Sequence, residues 1–263
     1  MFEIRRKKNS DGATPEDCRK MIGDHLHFGA AEAYKLLRTN LSFSIPDEAG
    51  CKIIGITSAL RAEGKSTTAV NIAYSMAQNG QKVLMIEADL RLPTVAKRLH
   101  VMRKPGLSNL LVGQNNGAEV IQPSGLLSNL WVIAAGDIPP NPAELLGSEQ
   151  MATVIRTLAK SFDVIVVDMP PVQVVSDALI LSKLMSGMVV VVRQNVCDRK
   201  SLDETVRQLQ FVDAKILGFV MTGVDNQQKG YGRYRRYGQN SKYRYAYRYG
   251  YYGKNKTDAK NEG

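Results

Sequence analysis

The sequence lacks the features of membrane-spanning, secreted and disulfide-stabilised proteins. Its longest apolar runs, around Val164–Val167 and Met188–Val192, are of strand length, whereas crossing a bilayer takes roughly 18 residues. The basic start, residues 1–8, has no apolar segment behind its charges, so we expect no secretory leader. The three cysteines show no C-x-x-C spacing, which argues against a disulfide framework and a zinc or redox motif. These absences favour a cytoplasmic protein.

The C-terminal segment, residues 227–263, lacks Leu, Ile and Val altogether. Because it cannot build a core, we predict a disordered tail that is rich in Tyr, Arg and Lys. Its ten basic and two acidic residues contribute a net charge of +8 to the +10 of the whole chain. It also holds nine of the eleven tyrosines, which are Tyr231, Tyr234, Tyr237, Tyr243, Tyr245, Tyr247, Tyr249, Tyr251 and Tyr252. This composition requires a functional explanation.

The rest of the chain alternates short apolar runs with longer amphipathic segments. Runs of Val and Ile that are apolar at every position are typical of parallel strands covered on both faces. Such runs occur at Ile53–Ile56, Val83–Ile86, Leu130–Ala134, Val164–Val167, Met188–Val192 and Ile216–Met221. Helical patterns occur at Ala30–Leu41, Ser66–Gln78, Pro142–Lys160 and Lys200–Gln210. We therefore predict a doubly wound α/β domain with a mainly parallel sheet over residues 30–226, preceded by an N-terminal extension, residues 1–29.

A candidate phosphate-binding loop follows the first predicted strand. Gly64, Lys65, Ser66 and Thr67 stand between this strand and a helix. In that context backbone N–H groups bind phosphates, the Lys reaches the β- and γ-phosphates, and the Ser hydroxyl ligates Mg²⁺. Ala59 replaces the first glycine of the strict G-x-x-x-x-G-K-S pattern. The order of elements nevertheless predicts a P-loop NTPase-type domain that binds ATP and Mg²⁺.

Two later strands end in carboxylates. Glu87, Asp89 and Arg91 follow the second predicted strand, and Asp168 follows Val164–Val167 as a Walker B residue would. The carboxyl ends of parallel strands face the ligand crevice, so we expect these side chains to reach a metal ion and phosphates. Either acidic strand end alone could instead cap a helix or form a surface ion pair. Together with the loop, in chain order, they favour a nucleotide site.

These segments resemble those of the bacterial tyrosine kinases (BY-kinases) of the CpsD/CapB type, the autokinases of capsular and exopolysaccharide synthesis. Residues 63–66 resemble the family's Walker A motif, residues 87–93 its Walker A′ motif and residues 168–171 its Walker B motif. The tail resembles the family's autophosphorylated tyrosine cluster. The segment that contains Glu32, Lys35 and Arg38 resembles the family's oligomerisation motif E-x-x-R-x-x-R-T-N.

The resemblance implies an ATP-dependent protein-tyrosine autokinase. The nucleotide-binding residues it implies are Glu63, Gly64, Lys65, Ser66, Thr67 and Arg91. The implied metal ligands are Ser66, Glu87, Asp89 and Asp168, and the implied catalytic residues are Lys65, Glu87, Asp89 and Asp168. It further implies a ring-like homo-oligomer in which each tail enters a neighbour's site. A separate transmembrane activator of the polysaccharide co-polymerase type would hold the protein at the inner face of the membrane, and a protein-tyrosine phosphatase would oppose it.

Three departures from the family's pattern bear on activity. Lys35 replaces an Arg, which keeps the charge but loses the bidentate fork. Arg61 and Ala62 replace Pro-Gly, and Glu87 replaces the first Asp of Walker A′. If Glu87 acts directly on the metal or the tyrosine hydroxyl, its extra methylene displaces the carboxylate. On that hypothesis, Glu87→Asp should match or exceed the parent rate.

The alternative class is that of the ParA- and MinD-like positioning ATPases, which share the deviant Walker fold. An Arg/Tyr tail could stack on bases and pair with the phosphates of a nucleic acid. A basic tail could also bind an acidic membrane, at about 1 kcal/mol per Lys or Arg. Neither alternative requires tyrosines, so we expect no nucleic-acid partner.

Overall fold

The computed structural model describes residues 21–46 and 50–224. The predicted tail with its nine tyrosines, and the first 20 residues of the predicted N-terminal extension, lie outside the described residues. The strands are β1 Lys52–Ser58, β2 Val83–Glu87, β3 Gln122–Pro123, β4 Leu130–Ile133, β5 Val164–Asp168, β6 Gly187–Arg193 and β7 Ile216–Thr222.

The strands form one seven-stranded sheet with the order β3-β4-β2-β5-β1-β6-β7. Within this described sheet, β3 pairs with β4 in antiparallel fashion and the other neighbouring pairs are parallel. The predicted doubly wound, mainly parallel α/β fold is confirmed. The order places β1 between β5 and β6, and β2 on the other side of β5, so the three strand ends that bear the motifs are neighbours.

In the described part of the chain, a helix precedes β1, and the others lie in the connections between successive strands. The helices are α1 Phe28–Ser44, α2 Lys65–Gln78, α3 Val95–Leu99, α4 Leu107–Leu111, α5 Gly117–Val120, α6 Pro142–Leu146, α7 Glu149–Leu158, α8 Asp177–Ser182 and α9 Arg199–Phe211. The single helix predicted over Pro142–Lys160 is two helices, α6 and α7, separated by Gly147 and Ser148. The Ser148 hydroxyl accepts a hydrogen bond from the Met151 amide at 3.2 Å, which caps the start of α7.

Apolar side chains cover both faces of the sheet. In β5, Ile165 and Val167 belong to one buried cluster, whereas Val164 and Val166 belong to the cluster on the opposite face. Because successive side chains of a strand point to opposite faces, a strand covered on both sides is apolar at every position. This packing explains the continuous Val and Ile runs and holds the carboxyl ends of the strands in place.

Residues 21–29, which the sequence assigns to an extension, pack on the domain. Ile22 is buried, and the Gly23 amide donates a hydrogen bond to Asn71 Oδ1 at 3.0 Å. In return, Asn71 Nδ2 donates to the Met21 carbonyl at 2.9 Å. Helix α1 begins at Phe28, two residues before its predicted start. Among the described residues, no helix has both the length and the apolar character needed to cross a membrane.

Candidate active site

The loop between β1 and α2 contains two residues with left-handed backbone conformations. Gly64, which precedes α2, has a φ of 91°, and Ala62 has a φ of 62°. Glycine adopts positive φ without a steric penalty, whereas a residue with a Cβ is strained there. Ala62, which replaces the glycine of the BY-kinase pattern, therefore stands where the backbone favours glycine.

Glu63 holds the shape of this loop. Its carboxylate is buried and accepts hydrogen bonds from the amides of Leu60 at 2.7 Å and Arg193 at 3.3 Å. The Thr222 hydroxyl donates to the Glu63 carbonyl at 2.7 Å, and the Arg193 guanidinium donates to the Ala62 carbonyl at 2.9 Å. Glu63, predicted to bind the nucleotide, thus ties the loop to the end of β6 through its side chain and to the end of β7 through its backbone carbonyl.

Lys65 and Asp89 form an ion pair at the carboxyl edge of the sheet. Lys65 Nζ lies 2.9 Å from Asp89 Oδ2, and Asp89 Oδ1 accepts a hydrogen bond from the Leu92 amide at 3.0 Å. Burial lowers the pKa of Lys65, but Asp168, Asp89 and Glu87 together outweigh that effect and hold its pKa above the ordinary value. Lys65 is therefore a permanent cation in the site.

Asp168 ends β5 and lies in register with Ile56 of β1 and Glu87 of β2. Its side chain is buried, and neither carboxylate oxygen has a hydrogen-bond partner among the described residues. Burial raises the pKa of Asp168, against opposing effects of Lys65 and the neighbouring Ser66 hydroxyl. Two buried acceptor oxygens without donors are costly unless a ligand satisfies them, and a hydrated cation would do so.

Few of the described side chains are placed to ligate a metal ion at this edge of the sheet. Within the part of the chain that the structure describes, no three His, Cys, Asp or Glu side chains form a metal-binding cluster. Mg²⁺ commonly keeps several waters and uses one or two protein groups together with substrate phosphates. Ser66 and Asp168 fit that donor set, since both side chains are buried beside Lys65.

Glu87, predicted as a metal ligand and catalytic residue, makes a different set of contacts. Its Oε1 accepts hydrogen bonds from the Thr94 amide and from the Val95 amide at 2.6 Å, and its Oε2 accepts from the Ala135 amide at 3.2 Å. Burial raises the pKa of Glu87 to about 7, although the hydrogen bond from Val95 lowers it. Both carboxylate oxygens therefore accept hydrogen bonds from backbone amides, two of them at the start of α3.

Arg91 and Asp177 form a bidentate pair that no motif predicted. Arg91 Nε lies 2.9 Å from Asp177 Oδ2, and Arg91 Nη2 lies 3.1 Å from Asp177 Oδ1. Asp177 is fully buried in the first turn of α8. Arg91, predicted to bind the nucleotide, therefore serves in this structure to neutralise a buried carboxylate.

Arg98, on α3, contacts the phosphate-binding loop. Its Nη1 donates to the Thr67 hydroxyl at 3.0 Å, and its Nε donates to the Thr94 hydroxyl at 3.3 Å. It also lies close enough to Asp168 to lower the pKa of that carboxyl, after the larger effects of burial, Lys65 and Ser66. Sequence patterns did not single out Arg98, because its short helix carries no recognisable motif.

The predicted oligomerisation residues on α1 have partners within the chain. Lys35 Nζ lies 2.7 Å from Glu32 Oε1, and both side chains are about half exposed. Arg38 Nη1 donates to the Ser75 carbonyl on α2 at 2.7 Å. The helix also exposes three large apolar side chains, Phe28 at 65%, Leu36 at 54% and Phe43 at 87%.

The strand, loop and helix that place Lys65 and Ser66 beside Asp168 define a P-loop nucleotide-binding protein. The family model described as AAA domain matches residues 51–215. The chain is 37% identical over 205 residues to the tyrosine-protein kinase YwqD of Bacillus subtilis, covering 78% of this chain and 86% of YwqD. The kinase domain of Escherichia coli tyrosine kinase ETK matches with a TM-score of 0.72 at 31% identity, over 81% of this chain and 80% of that structure. The chain belongs to this family of bacterial tyrosine-protein kinases.

The fold is shared more widely than the activity. The septum site-determining protein MinD of Pyrococcus horikoshii, in a complex with Mg-ADP, matches with a TM-score of 0.55 at 21% identity, over 65% of this chain and 70% of that structure. At that identity the likeness concerns the fold alone. Membership of the kinase family confirms the predicted enzyme class, a tyrosine-protein kinase with a nucleotide-binding P-loop.

Proposed function

We propose that this kinase transfers the γ-phosphoryl group of ATP to tyrosines of its own C-terminal segment, in trans within an oligomer, and so regulates capsular or exopolysaccharide synthesis. The observation that carries the proposal is the pair of buried Asp168 oxygens, which have no partner among the described residues and lie close to Lys65 and Ser66. A hydrated Mg²⁺ beside nucleotide phosphates would satisfy them.

The loop and the start of α2 bind the phosphates. Backbone N–H groups at a helix N-terminus attract anions, and Lys65 adds a permanent positive charge. Ser66, in the first turn of α2, and Asp168, at the end of β5, would hold the cation. When bound, Mg²⁺ would supply charge neutralisation at the β- and γ-phosphates. When the nucleotide binds, the Lys65 ammonium exchanges its ion pair with Asp89 for one with the phosphates, and one carboxylate oxygen of Asp89 becomes free.

Phosphoryl transfer then requires positioning and one proton acceptor. The tyrosine oxygen bonds to the γ-phosphorus, the bond to the bridging oxygen breaks, and ADP leaves. The phenolic proton passes to a carboxylate at the site. Asp89 is the better candidate for that role, because its oxygen is released by Lys65, whereas both oxygens of Glu87 accept backbone hydrogen bonds.

The proposed acceptors are the nine tyrosines of residues 227–263, which are interleaved with ten basic residues. The site edge itself carries Glu87, Asp89 and Asp168, so a segment with a net charge of +8 is electrostatically complementary to it. Each phosphotyrosine adds a charge of about −1.5 to −2 at neutral pH, so modification progressively removes this attraction.

Transfer in trans requires contact between copies, and we propose that α1 provides it. Glu32 and Lys35 are exposed on that helix, and Phe43 presents a large apolar surface. Replacing Glu32 and Lys35 by Ala should shift sedimentation toward the monomer without affecting the fold. Arg38→Ala needs separate treatment, because it also removes the hydrogen bond to Ser75. An unchanged oligomer in the double variant would place the interface elsewhere.

The remaining partners are proposed from the resemblance to BY-kinases. A separate transmembrane activator would recruit the kinase to the inner face of the membrane, and a protein-tyrosine phosphatase would reverse the modification. A basic segment near an acidic leaflet would add about 1 kcal/mol per Lys or Arg to such recruitment.

The direct test is autophosphorylation of the purified chain with Mg-ATP, followed by mapping of phosphotyrosine by mass spectrometry. Transfer in trans is tested by mixing full-length Lys65→Met with an otherwise unchanged chain that ends at residue 226. We expect phosphotyrosine on the full-length partner, since only it has the acceptors. The control mixture, in which both chains carry Lys65→Met, should remain unmodified. If the active full-length chain phosphorylates itself but the full-length Lys65→Met partner in this mixture stays unmodified, transfer in trans is refuted.

A further inference from the structure

We propose that Glu87 is a positioning residue: its carboxylate fixes the start of α3 and thereby holds Arg98 against Thr67 of the phosphate-binding loop, instead of ligating the metal. This inference rests on the proposed nucleotide site and adds Glu87 and Arg98 to the residues that shape it. It assigns roles to Arg98, which no motif singled out, and to the Glu that stands where the family has Asp.

The contacts of Glu87 join three parts of the domain. The residue ends β2, its Oε1 accepts from the consecutive amides of Thr94 and Val95, and its Oε2 accepts from Ala135, which follows β4. Consecutive amides at a helix start are donors without helical partners, and a carboxylate is their preferred acceptor. Because Glu87 is fully buried, ligation of a metal would leave these donors unsatisfied.

The position of Arg98 follows from that of Thr94. One helical turn connects them, with the Arg98 amide 3.1 Å from the Thr94 carbonyl oxygen. The side chains are also joined, since Arg98 Nε donates to the Thr94 hydroxyl at 3.3 Å, and Nη1 then reaches Thr67 at 3.0 Å. Thr67 lies in the first turn of α2, whose N-terminal amides face the phosphates in the proposed site.

This arrangement places a second cation at the phosphate-binding edge. The carboxylates of Asp168, Asp89 and Glu87 all lie near enough to Lys65 to raise its pKa, so this edge carries more negative charge than Lys65 alone offsets. A guanidinium held in place before binding stabilises phosphate charge without reorganisation. The length of Glu is needed to reach both the α3 amides and Ala135, so a shorter Asp would give up at least one of them.

The test measures ADP binding by calorimetry, both with Mg²⁺ and in EDTA, so that it does not depend on kinase activity. Loss of one positioned hydrogen bond corresponds to a change of about twofold to tenfold in affinity. We expect Glu87→Asp to weaken ADP binding by such a factor in EDTA, and by the same factor with Mg²⁺. Asp168→Asn, the matched control, should weaken binding only with Mg²⁺. A Glu87→Asp effect confined to the Mg²⁺ condition would make Glu87 a metal ligand and overturn the proposal.

A double-mutant cycle separates positioning from a general loss of stability. Arg98→Met should weaken ADP binding, and adding Glu87→Asp to it should cause little further loss if Glu87 acts through Arg98. Full additivity would overturn the proposal.

Thr94→Ala removes the hydrogen bond to Arg98 Nε and leaves Glu87 intact. It should weaken ADP binding in the same metal-independent way, and it replaces Glu87→Asp if that variant fails to fold. If the parent chain binds no ADP, the nucleotide site itself is wrong. If the parent chain binds ADP, and both Thr94→Ala and Glu87→Asp bind ADP as tightly as the parent does, only the positioning inference fails.

Discussion

Lys65 Nζ lies 2.9 Å from Asp89 Oδ2, with 13% and 6% of the two side chains exposed. The cation that should meet the nucleotide is thus held by a carboxylate of the same site. Binding of phosphates must exchange one anionic partner of Lys65 for another, which is less costly than desolvating a free ammonium group. The pair keeps the lysine charged and close to its working position before the nucleotide arrives.

Replacement of this lysine should abolish the chemistry and weaken the fold moderately. Lys65→Met removes the charge placed at the phosphates, so we expect no phosphotyrosine. The change also leaves the buried Asp89 without its cation, which should lower the free energy of unfolding by about 1–3 kcal/mol. Immunoblotting and urea unfolding measure the two effects. Lys160→Met, an equal change of charge at an exposed position, should alter neither.

Relief of backbone strain in the loop should stabilise the protein. Ala62 has a φ of 62°, and a left-handed conformation costs a residue with a Cβ about 1–2 kcal/mol. Glycine avoids this strain but costs about 0.5–1 kcal/mol in entropy, so Ala62→Gly should raise the free energy of unfolding by about 0.5–1 kcal/mol. Ala33→Gly, in the exposed middle of α1, should lower it by about 1 kcal/mol. The same sign for both variants would contradict the strain at position 62.

The bidentate pair of Arg91 and Asp177 should matter more for stability than for nucleotide affinity. Arg91→Lys keeps the charge but loses one of two parallel hydrogen bonds to a fully buried carboxylate. We expect the free energy of unfolding to fall by about 0.5–1.5 kcal/mol. The dissociation constant for ADP should stay within about twofold of the parent value. A larger loss of affinity with unchanged stability would instead support the nucleotide-binding role that the resemblance implied.

Cys51 should react slowly with alkylating agents at neutral pH. Burial, with a smaller contribution from the Asp163 carboxylate, raises its pKa to about 11. Only the thiolate reacts, so the alkylation rate should increase about tenfold per pH unit between pH 7 and 10. Asp163→Asn removes the smaller contribution and should speed alkylation of Cys51 at pH 8. Cys197 has a pKa of about 11 from causes that do not include Asp163, so its rate should not change.

The sheet could be predicted because strands buried on both faces are apolar throughout. The runs at Val164–Val167 and Met188–Val192 form strands β5 and β6 of the sheet, as expected. Short helices such as α3 and α8 escaped prediction, since one or two turns leave no measurable periodicity. The break between α6 and α7 depends on a single Gly-Ser step, which a helical pattern extending on both sides conceals.

The site could be predicted where its residues are close together in the sequence or end a recognisable strand. Contacts between residues far apart in the sequence could not be predicted. Gly64, Lys65 and Ser66 are adjacent in sequence, and Asp168 ends an evident strand. The partner of Arg91, by contrast, lies 86 residues away, and Ala135 lies 48 residues from Glu87. A carboxylate at a strand end can turn toward a ligand or toward a helix start, and local sequence does not distinguish the two.

The parallel register of β1, β5 and β2 also limits how such a site can evolve. Neighbouring strands are about 4.8 Å apart, and the pairing of Ile56, Asp168 and Glu87 is locked by the ladder between them. The backbone can therefore supply only fixed increments of distance between the functional positions. Any finer adjustment must come from side-chain length, one methylene at a time. Glu87, where the family has Asp, differs by one methylene. It moves the carboxylate by a distance smaller than any step between strands.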